Sequence, residues 1–276
     1  MRSALLQLSS TDDPAENLAI TAARIEAAVA EGAGFVLTPE VTNCVSASRT
    51  RQQAVLQQEK DDITLAGLRD LAARRGIWLS IGSLALKTGA ADGRFANRSF
   101  LIGPAGDIVA RYDKIHMFDV QVSETETYRE SAGFRPGTAA VVVETPFATL
   151  GLSICYDLRF PQLYRALAHA GAEVLLVPSA FSPVTGAAHW QPLLRARAIE
   201  SGAWVLAAAQ CGTHDAVRGK QRTTYGHSMA VAPWGEILAE AGEAPEVLWV
   251  DLSREAVDKA RERVPSLTDD RDFTGP

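Results

Sequence analysis

Cysteine is scarce in this 276-residue chain: Cys44, Cys155 and Cys211 stand far apart, with no C-x-x-C pair. An odd, sparse set is not a disulfide framework and suits a reducing compartment, where a lone cysteine is available for chemistry. Histidine is limited to His116, His169, His189, His214 and His227, with no H-x-x-x-H or Cys/His spacing of a zinc site. No G-x-G-x-x-G or P-loop pattern occurs. No apolar stretch approaches the roughly 18 residues of a membrane span. The apolar start, Met1 to Leu8, is too short for a signal peptide, so the cytoplasm is the expected location. Positive charge is in slight deficit, 27 Lys and Arg against 33 Asp and Glu for a net −6, and it forms no run. Nucleic acid and anionic membrane are therefore not expected partners. Repeats, low-complexity tracts and Pro/Gly/Ser linkers are also missing, which points to one domain.

What is present is ordinary for a globular protein, 47% hydrophobic and 22% charged residues. Ala4, Leu6 and Leu8 alternate as a strand, and Asp12-Asp13-Pro14 signals a helix running to about Glu31. Phe35-Val36-Leu37 is a buried strand, and a weak polar helix is expected over 49–59. A firmer helix spans Ile63 to Arg75, followed by a strand over Ile77 to Leu86. Ser99 to Ile102 and Ile108 to Tyr112 flank the hairpin signal Gly103-Pro104-Ala105-Gly106. Residues 113–137 read as a long, mostly irregular loop, a feature that is usually functional or disordered. The second half repeats this style. Strands are expected at 140–143, 148–154, 174–177, 205–209, 228–232 and 247–251, with helices at 161–169 and 189–201 and another from Ser253. Strands outnumber helices and are interrupted by them in pairs, which predicts sheets each covered by helices on one face.

Three residues at expected strand ends carry chemical potential. Cys155 follows the apolar run Leu150 to Ile154, just before a helix start at Pro161. Backbone N–H groups at such a turn lower a thiol pKa and hold an oxyanion. A buried structural cysteine is the commoner occupant of such a position. Glu40 follows Phe35 to Pro39, at the carboxyl edge of a strand, where α/β sheets bind ligands; a capping or solvated Glu is the alternative. Lys114 ends the strand that holds Tyr112, placed to stabilise an oxyanion or simply exposed beside Asp113. Glu130 lies in the long loop and reads alone as solvated charge. Acyl transfer through a thiol requires a nucleophile, a proton acceptor and an oxyanion donor. Cys155, Glu40 and Lys114 offer those three.

The segments around these residues resemble the nitrilase superfamily of carbon–nitrogen hydrolases, over nearly the whole chain. Thr38-Pro39-Glu40 resembles its glutamate motif, Tyr112-Asp113-Lys114-Ile115-His116 its lysine motif, and Ser153 to Pro161 its cysteine motif. Arg129-Glu130-Ser131 is similar to the second glutamate placed between lysine and cysteine. The resemblance implies an α/β fold, a single-domain αββα sandwich over residues 1–265 with a tail over 266–276. It also implies a homodimer, no metal and no organic cofactor. Ala180-Phe181, Thr185-Gly186, Ala188-His189-Trp190, Arg195 to Glu200, Ala208 to Gly212 and Tyr225 to Ser228 resemble the branch containing deaminated glutathione amidase and ω-amidase. Ala208 to Gly212 looks more like the former. Ala187, where the branch often has Pro, and Val120 to Thr127 depart from it.

The activity this resemblance implies is hydrolysis of a small-molecule amide, in the first place deaminated glutathione to 2-oxoglutarate and Cys–Gly. Cys155 is the nucleophile, Glu40 the base, Lys114 with the Tyr156 N–H the oxyanion donor, and Glu130 a positioning group. An amide with a 2-oxo acid end would need a cation, for which Arg159 is the candidate; an ion pair between Arg159 and Asp157 is the alternative. Phe181 and Thr185 are expected to line the site. His189 and Trp190 are expected to pack a helix start, Arg195 and Arg197 to pair with Glu200 or a partner subunit, and Cys44 and Cys211 to be structural. An ω-amidase and a non-catalytic scaffold of the same fold are the competing readings.

Overall fold

The computed structural model describes residues 1–122, 124 and 126–275. In chain order the first half holds β1 (Arg2–Leu6), α1 (Pro14–Ala30), β2 (Phe35–Leu37), α2 (Arg49–Val55), α3 (Ile63–Arg75), β3 (Trp78–Lys87), β4 (Phe95–Ile102) and β5 (Ile108–Asp113). A short ribbon follows, β6 (Asp119–Gln121) with β7 (Thr127–Arg129). The second half holds β8 (Val141–Glu144), β9 (Thr149–Leu152), α4 (Pro161–His169), β10 (Val174–Leu176), α5 (Pro183–Ser201), β11 (Trp204–Ala207), β12 (Cys211–His214), β13 (Arg222–Tyr225), β14 (Met229–Val231), β15 (Ile237–Glu240), β16 (Val247–Asp251) and α6 (Arg254–Arg263).

Local chemistry sets the helix ends. The Asp13 side chain accepts from the backbone N–H groups of Ala15 and Glu16, and Pro14 occupies the first turn of α1, where no N–H is needed. Asp62 caps α3 through Leu65 N at 2.8 Å, and Gly76 ends it in the left-handed conformation.

The strands form two six-stranded sheets, in the orders β16-β1-β2-β3-β4-β5 and β15-β14-β11-β10-β9-β8. Each has three parallel strands at its centre, β1-β2-β3 or β9-β10-β11, and antiparallel neighbours outside them. Side-chain alternation divides β1 and β2 between two cores. Ala4, Leu6 and Val36 pack with Ile25 of α1 and with Leu65, Leu68 and Leu71 of α3. Leu5, Phe35 and Leu37 face the other way, into a core shared with the second sheet. Leu163, Tyr164 and Leu167 of α4, with Trp190 and Leu194 of α5, complete that core. The layers run helices, sheet, sheet, helices: the expected αββα sandwich. Each fully buried Leu or Phe in these layers contributes about 1.5–3 kcal/mol.

Three expectations on the elements change. The helix predicted from His189 begins at Pro183, so His189 and Trp190 sit inside α5, not at its start. Gly186 and Pro192 disguise this stretch. Gly186 is required there because a Cβ would lie 2.3 Å from the Tyr225 ring. The 113–137 loop holds the β6–β7 ribbon, although Ser123 and Thr125 within it lie outside the described residues. The β12–β13 hairpin was not expected at all.

Candidate active site

Glu40, Cys155 and Lys114 follow β2, β9 and β5 respectively. Because β4 is antiparallel to both its neighbours, β5 runs in the direction of β3, and Lys114 emerges at the carboxyl edge shared with β2. This is the edge where open α/β sheets hold ligands.

The turn bearing Glu40 is tightly constructed. Val41, a β-branched residue, has φ 48°, a conformation costing of order 1–3 kcal/mol. Its N–H donates to Ser83 Oγ at 2.8 Å, and Thr42 N donates to Ser83 O at 2.9 Å. Ser83 lies in the β3 bulge between Ile81 and Leu84. The adjacent Gly82 has no room for a side chain: a Cβ would stand 2.0 Å from Thr38 O and 2.5 Å from Pro178 Cβ. The other side of the turn is tied to the segment between β11 and β12, where Gln210 Nε2 donates to Glu40 O at 3.1 Å and to Ser10 Oγ at 2.9 Å.

Cys155 opens a 3-10 turn, Cys155–Arg159, also with positive φ, 49°. Its N–H donates to Pro178 O at 2.9 Å, while Asp157 N closes on Ile154 O at 3.1 Å. The intervening Tyr156 N–H is one of the first N–H groups of the turn, which lack an acceptor within it. Asp157 organises this turn from beneath. Fully buried, it accepts from Ile154 N at 2.9 Å, His116 N at 3.0 Å and the Tyr112 hydroxyl at 2.6 Å, with His116 Nδ1 at 2.7 Å.

Lys114 Nζ lies 2.9 Å from Glu40 Oε1 and 2.9 Å from each oxygen of Glu130. Glu130 Oε2 also accepts from Phe118 N at 2.6 Å. Asn97 Nδ2 donates to Glu40 Oε1 at 2.8 Å, and Ala180 N donates to Oε2 at 2.8 Å. Only 5% of Glu40, 2% of Lys114 and 7% of Cys155 is exposed. Burial alone would raise the Glu40 carboxyl. The Lys114 charge, with hydrogen bonds from Lys114, Cys155 and Asn97, outweighs it and holds Glu40 below its ordinary value. Burial would likewise lower Lys114, but the charges of Glu130 and Glu40 hold its ammonium well above the usual range.

The Cys155 thiol and the Glu40 carboxylate line the same cavity, close enough to shift one another. Burial first, and the Glu40 charge second, push the thiol up, against the opposing effect of Lys114. This reverses the expectation that N–H groups at the turn would lower it. The resting arrangement is an ionised Glu40, a charged Lys114 and a neutral thiol. Burial also pushes Cys44 up to about 12 and Cys211 up to about 11, so neither ionises readily.

These groups stand in a cavity of about 650 Å³, within the range of small-molecule sites. Tyr156, Phe181 and Thr185 line it, as do Cys44, Asn97 and Glu130. Arg159 lies outside the lining, with its guanidinium 5.4 Å from the Phe181 ring centre and Nη1 3.2 Å from His189 Nδ1. Asp157 is already occupied, which removes the Arg159–Asp157 pair. Arg197 pairs with Glu200 at 2.8 Å as expected, whereas Arg195 donates to Gly235 O at 2.9 Å. Among the described residues no group of three or more His, Cys, Asp or Glu side chains is arranged to hold a metal ion, and no helix is long and apolar enough to cross a membrane.

The profile of the carbon-nitrogen hydrolase family matches residues 2–262. Deaminated glutathione amidase of Yersinia enterocolitica is 40% identical over 270 residues, covering 97% of this chain and 92% of the relative. The chain is a carbon–nitrogen hydrolase of the nitrilase superfamily.

Solved structures agree. The NitFhit protein of C. elegans superposes on 98% of the hydrolase with TM-score 0.89 and 36% identity, the hydrolase spanning 65% of that longer chain. An amidase from Nesterenkonia sp. AN1, with acrylamide added at its active site cysteine, superposes on 96% of this chain and 98% of its own with TM-score 0.77 and 29% identity. The hydrolase acts on an amide bond of a small molecule. Sequence reasoning missed Asn97, Ser83, Asp157 and Gln210 as builders of this site. Asn97 is 2% exposed in β4 and so needs a partner, but the strand expected from Ser99 stopped short of it.

Proposed function

We propose that this hydrolase cleaves deaminated glutathione to 2-oxoglutarate and Cys–Gly through a thioester on Cys155. The observation that carries the chemistry is a neutral thiol beside an ionised, buried Glu40, with Lys114 bridging Glu40 and Glu130. Glu40 accepts the thiol proton as Sγ attacks the amide carbon. The carbonyl oxygen becomes an oxyanion received by Lys114 Nζ and the Tyr156 N–H, positions suited to donors fixed before the reaction. Glu40 passes the proton to the amine nitrogen, the C–N bond breaks, and Cys–Gly leaves. Glu40 then takes a proton from water, which attacks the thioester. The C–S bond breaks, and the thiol recovers its proton. Glu130 keeps Lys114 in place and charged. Tyr156, Phe181 and Thr185 shape the wall around the substrate.

The substrate assignment is supported by the name of the Yersinia enterocolitica relative and by the Ala208 to Gly212 segment. The working form is a homodimer in the cytoplasm, with a catalytic domain over 1–265 and a tail over 266–276. The test incubates the protein with deaminated glutathione and, separately, with 2-oxoglutaramate, and measures 2-oxoglutarate, with Cys155→Ser as control. Faster release from deaminated glutathione supports the assignment. Preference for 2-oxoglutaramate replaces it with an ω-amidase, and release from neither removes both.

A further inference from the structure

The more exposed part of the cavity lining carries cations, Lys220 exposed and Arg222 half-buried, whereas Glu40, Lys114 and Cys155 are buried. Lys220 and Arg222 of the β12–β13 hairpin and Arg129 at the end of β7 line the same cavity as Cys155. Acids near them have other partners. Glu126 accepts from the Tyr128 hydroxyl, Asp119 accepts from Ser131 N at 2.9 Å, and Asp215 accepts from Gln221 Nε2 at 3.1 Å. Glu126 lines the cavity beside them, so three cations face one acid there and the balance is positive.

The hairpin is not a loose flap. Arg222 pairs across it with His214, which is buried and neutral, its pKa lowered by burial to about 4. His214 Nε2 lies 2.7 Å from Thr224 Oγ1 and Nδ1 lies 2.8 Å from Ser10 O. Ser10 N donates to Gln210 Oε1 at 3.0 Å, and Gln210 Nε2 donates to Glu40 O. A continuous hydrogen-bonded brace thus runs from the backbone of Glu40 to the strand that starts at Arg222. Such a brace sets the distance between the reacting centre and the rim, as recognition of both ends of a substrate requires.

We infer that Arg222, with Lys220 beside it, binds a carboxylate carried by the leaving amine of the substrate. The inference rests on the thioester reading above. In that reading the acyl group stays on Cys155 at the cavity floor while the amine departs and water enters where it was. The leaving amine therefore lies toward the open side, and that side is where Lys220 and Arg222 stand. A planar guanidinium receives a carboxylate through two parallel hydrogen bonds, which favours Arg222 as the principal contact. An amide whose leaving group ends in a free carboxylate is then preferred over one that releases ammonia.

The experiment compares three amides of one acyl group, 2-oxoglutaryl: with Cys–Gly, with Cys–Gly capped as its C-terminal amide, and with ammonia as leaving group. For the parent protein, capping is expected to lower kcat/KM by roughly 10- to 100-fold, the range of a hydrogen bond to a charged group. For R222Q the ratio of kcat/KM for the free Cys–Gly amide to that for the ammonia amide falls by a similar factor, and capping then has little further effect. K220Q gives a smaller fall in the same ratio. If R222Q lowers all three substrates alike, or if capping and R222Q multiply rather than overlap, the carboxylate site is refuted. If the parent protein turns over none of the three, the thioester reading itself falls, and this inference with it.

Discussion

The Tyr112 hydroxyl donates to the buried Asp157 carboxylate at 2.6 Å, and this bond joins the two halves of the candidate site. Tyr112 stands two residues before Lys114, and Asp157 two residues after Cys155. A sheet-one strand end is thereby held against a sheet-two turn. The His116 ring, stacked on Phe160 with centroids 3.5 Å apart, adds a second tie to Asp157.

Tyr112→Phe removes one donor from a carboxylate with no access to water. The expected cost is about 1.5–3 kcal/mol in stability, measured by denaturant unfolding, the range of one hydrogen bond to a charged group, since Asp157 Oδ2 keeps Ile154 N as a donor. The variant also loses kcat more than it changes KM, since the tie sets the position of reacting groups. Equal stability and equal kcat in variant and parent would show the tie to be idle.

Lys114→Met leaves Glu40 and Glu130 together without their shared cation. Breaking a buried pair in this way costs about 3–5 kcal/mol. The pH dependence has a definite sign. In the parent, Glu40 is held low, so its contribution to stability is present above its unfolded value and is lost as pH falls through its folded one. Without the Lys114 charge, burial raises Glu40 instead, and the variant gains stability from protonation as pH falls. The difference in Tm between parent and variant should therefore shrink from pH 8 to pH 5. A difference that widens over that interval contradicts the assignment of charges.

Asn97 supplies the neutral donor that helps keep Glu40 ionised. Because Glu40 is held below its ordinary value and Lys114 well above its own, kcat/KM of the parent should be level through neutral pH. Its acid limb lies below the usual carboxylate range of about 4.3. Asn97→Leu removes a donor and moves that limb upward, with the neutral plateau also lowered. An unmoved acid limb in this variant would separate Asn97 from the state of Glu40.

The fold was legible where burial writes a period into the chain. Phe35-Val36-Leu37 and Val174 to Leu176 are apolar on both faces because each lies at the centre of a sheet with cores on both sides. Glu40, Lys114 and Cys155 were legible as polar groups ending apolar runs. The β12–β13 hairpin was not, because Cys-Gly-Thr-His and Arg-Thr-Thr-Tyr carry no alternating apolar face; it is fixed by His214, which reaches Ser10 through one ring nitrogen and Thr224 through the other. Asn97 and Asp157 escaped for a related reason: what distinguishes them is the identity of a partner 57 or 45 residues away, which spacing does not encode. Arg159 was misplaced by proximity in sequence. The turn that presents Cys155 directs Arg159 toward His189 and the Phe181 ring.

The most direct measurement is rapid acid quenching of the protein during turnover of deaminated glutathione, followed by peptide mass spectrometry. The account predicts one 2-oxoglutaryl group on the peptide containing Cys155, absent in Cys155→Ser and absent when Glu40→Gln blocks proton transfer from the thiol. Turnover that continues with the acyl group on another residue, or in Cys155→Ser itself, would contradict it.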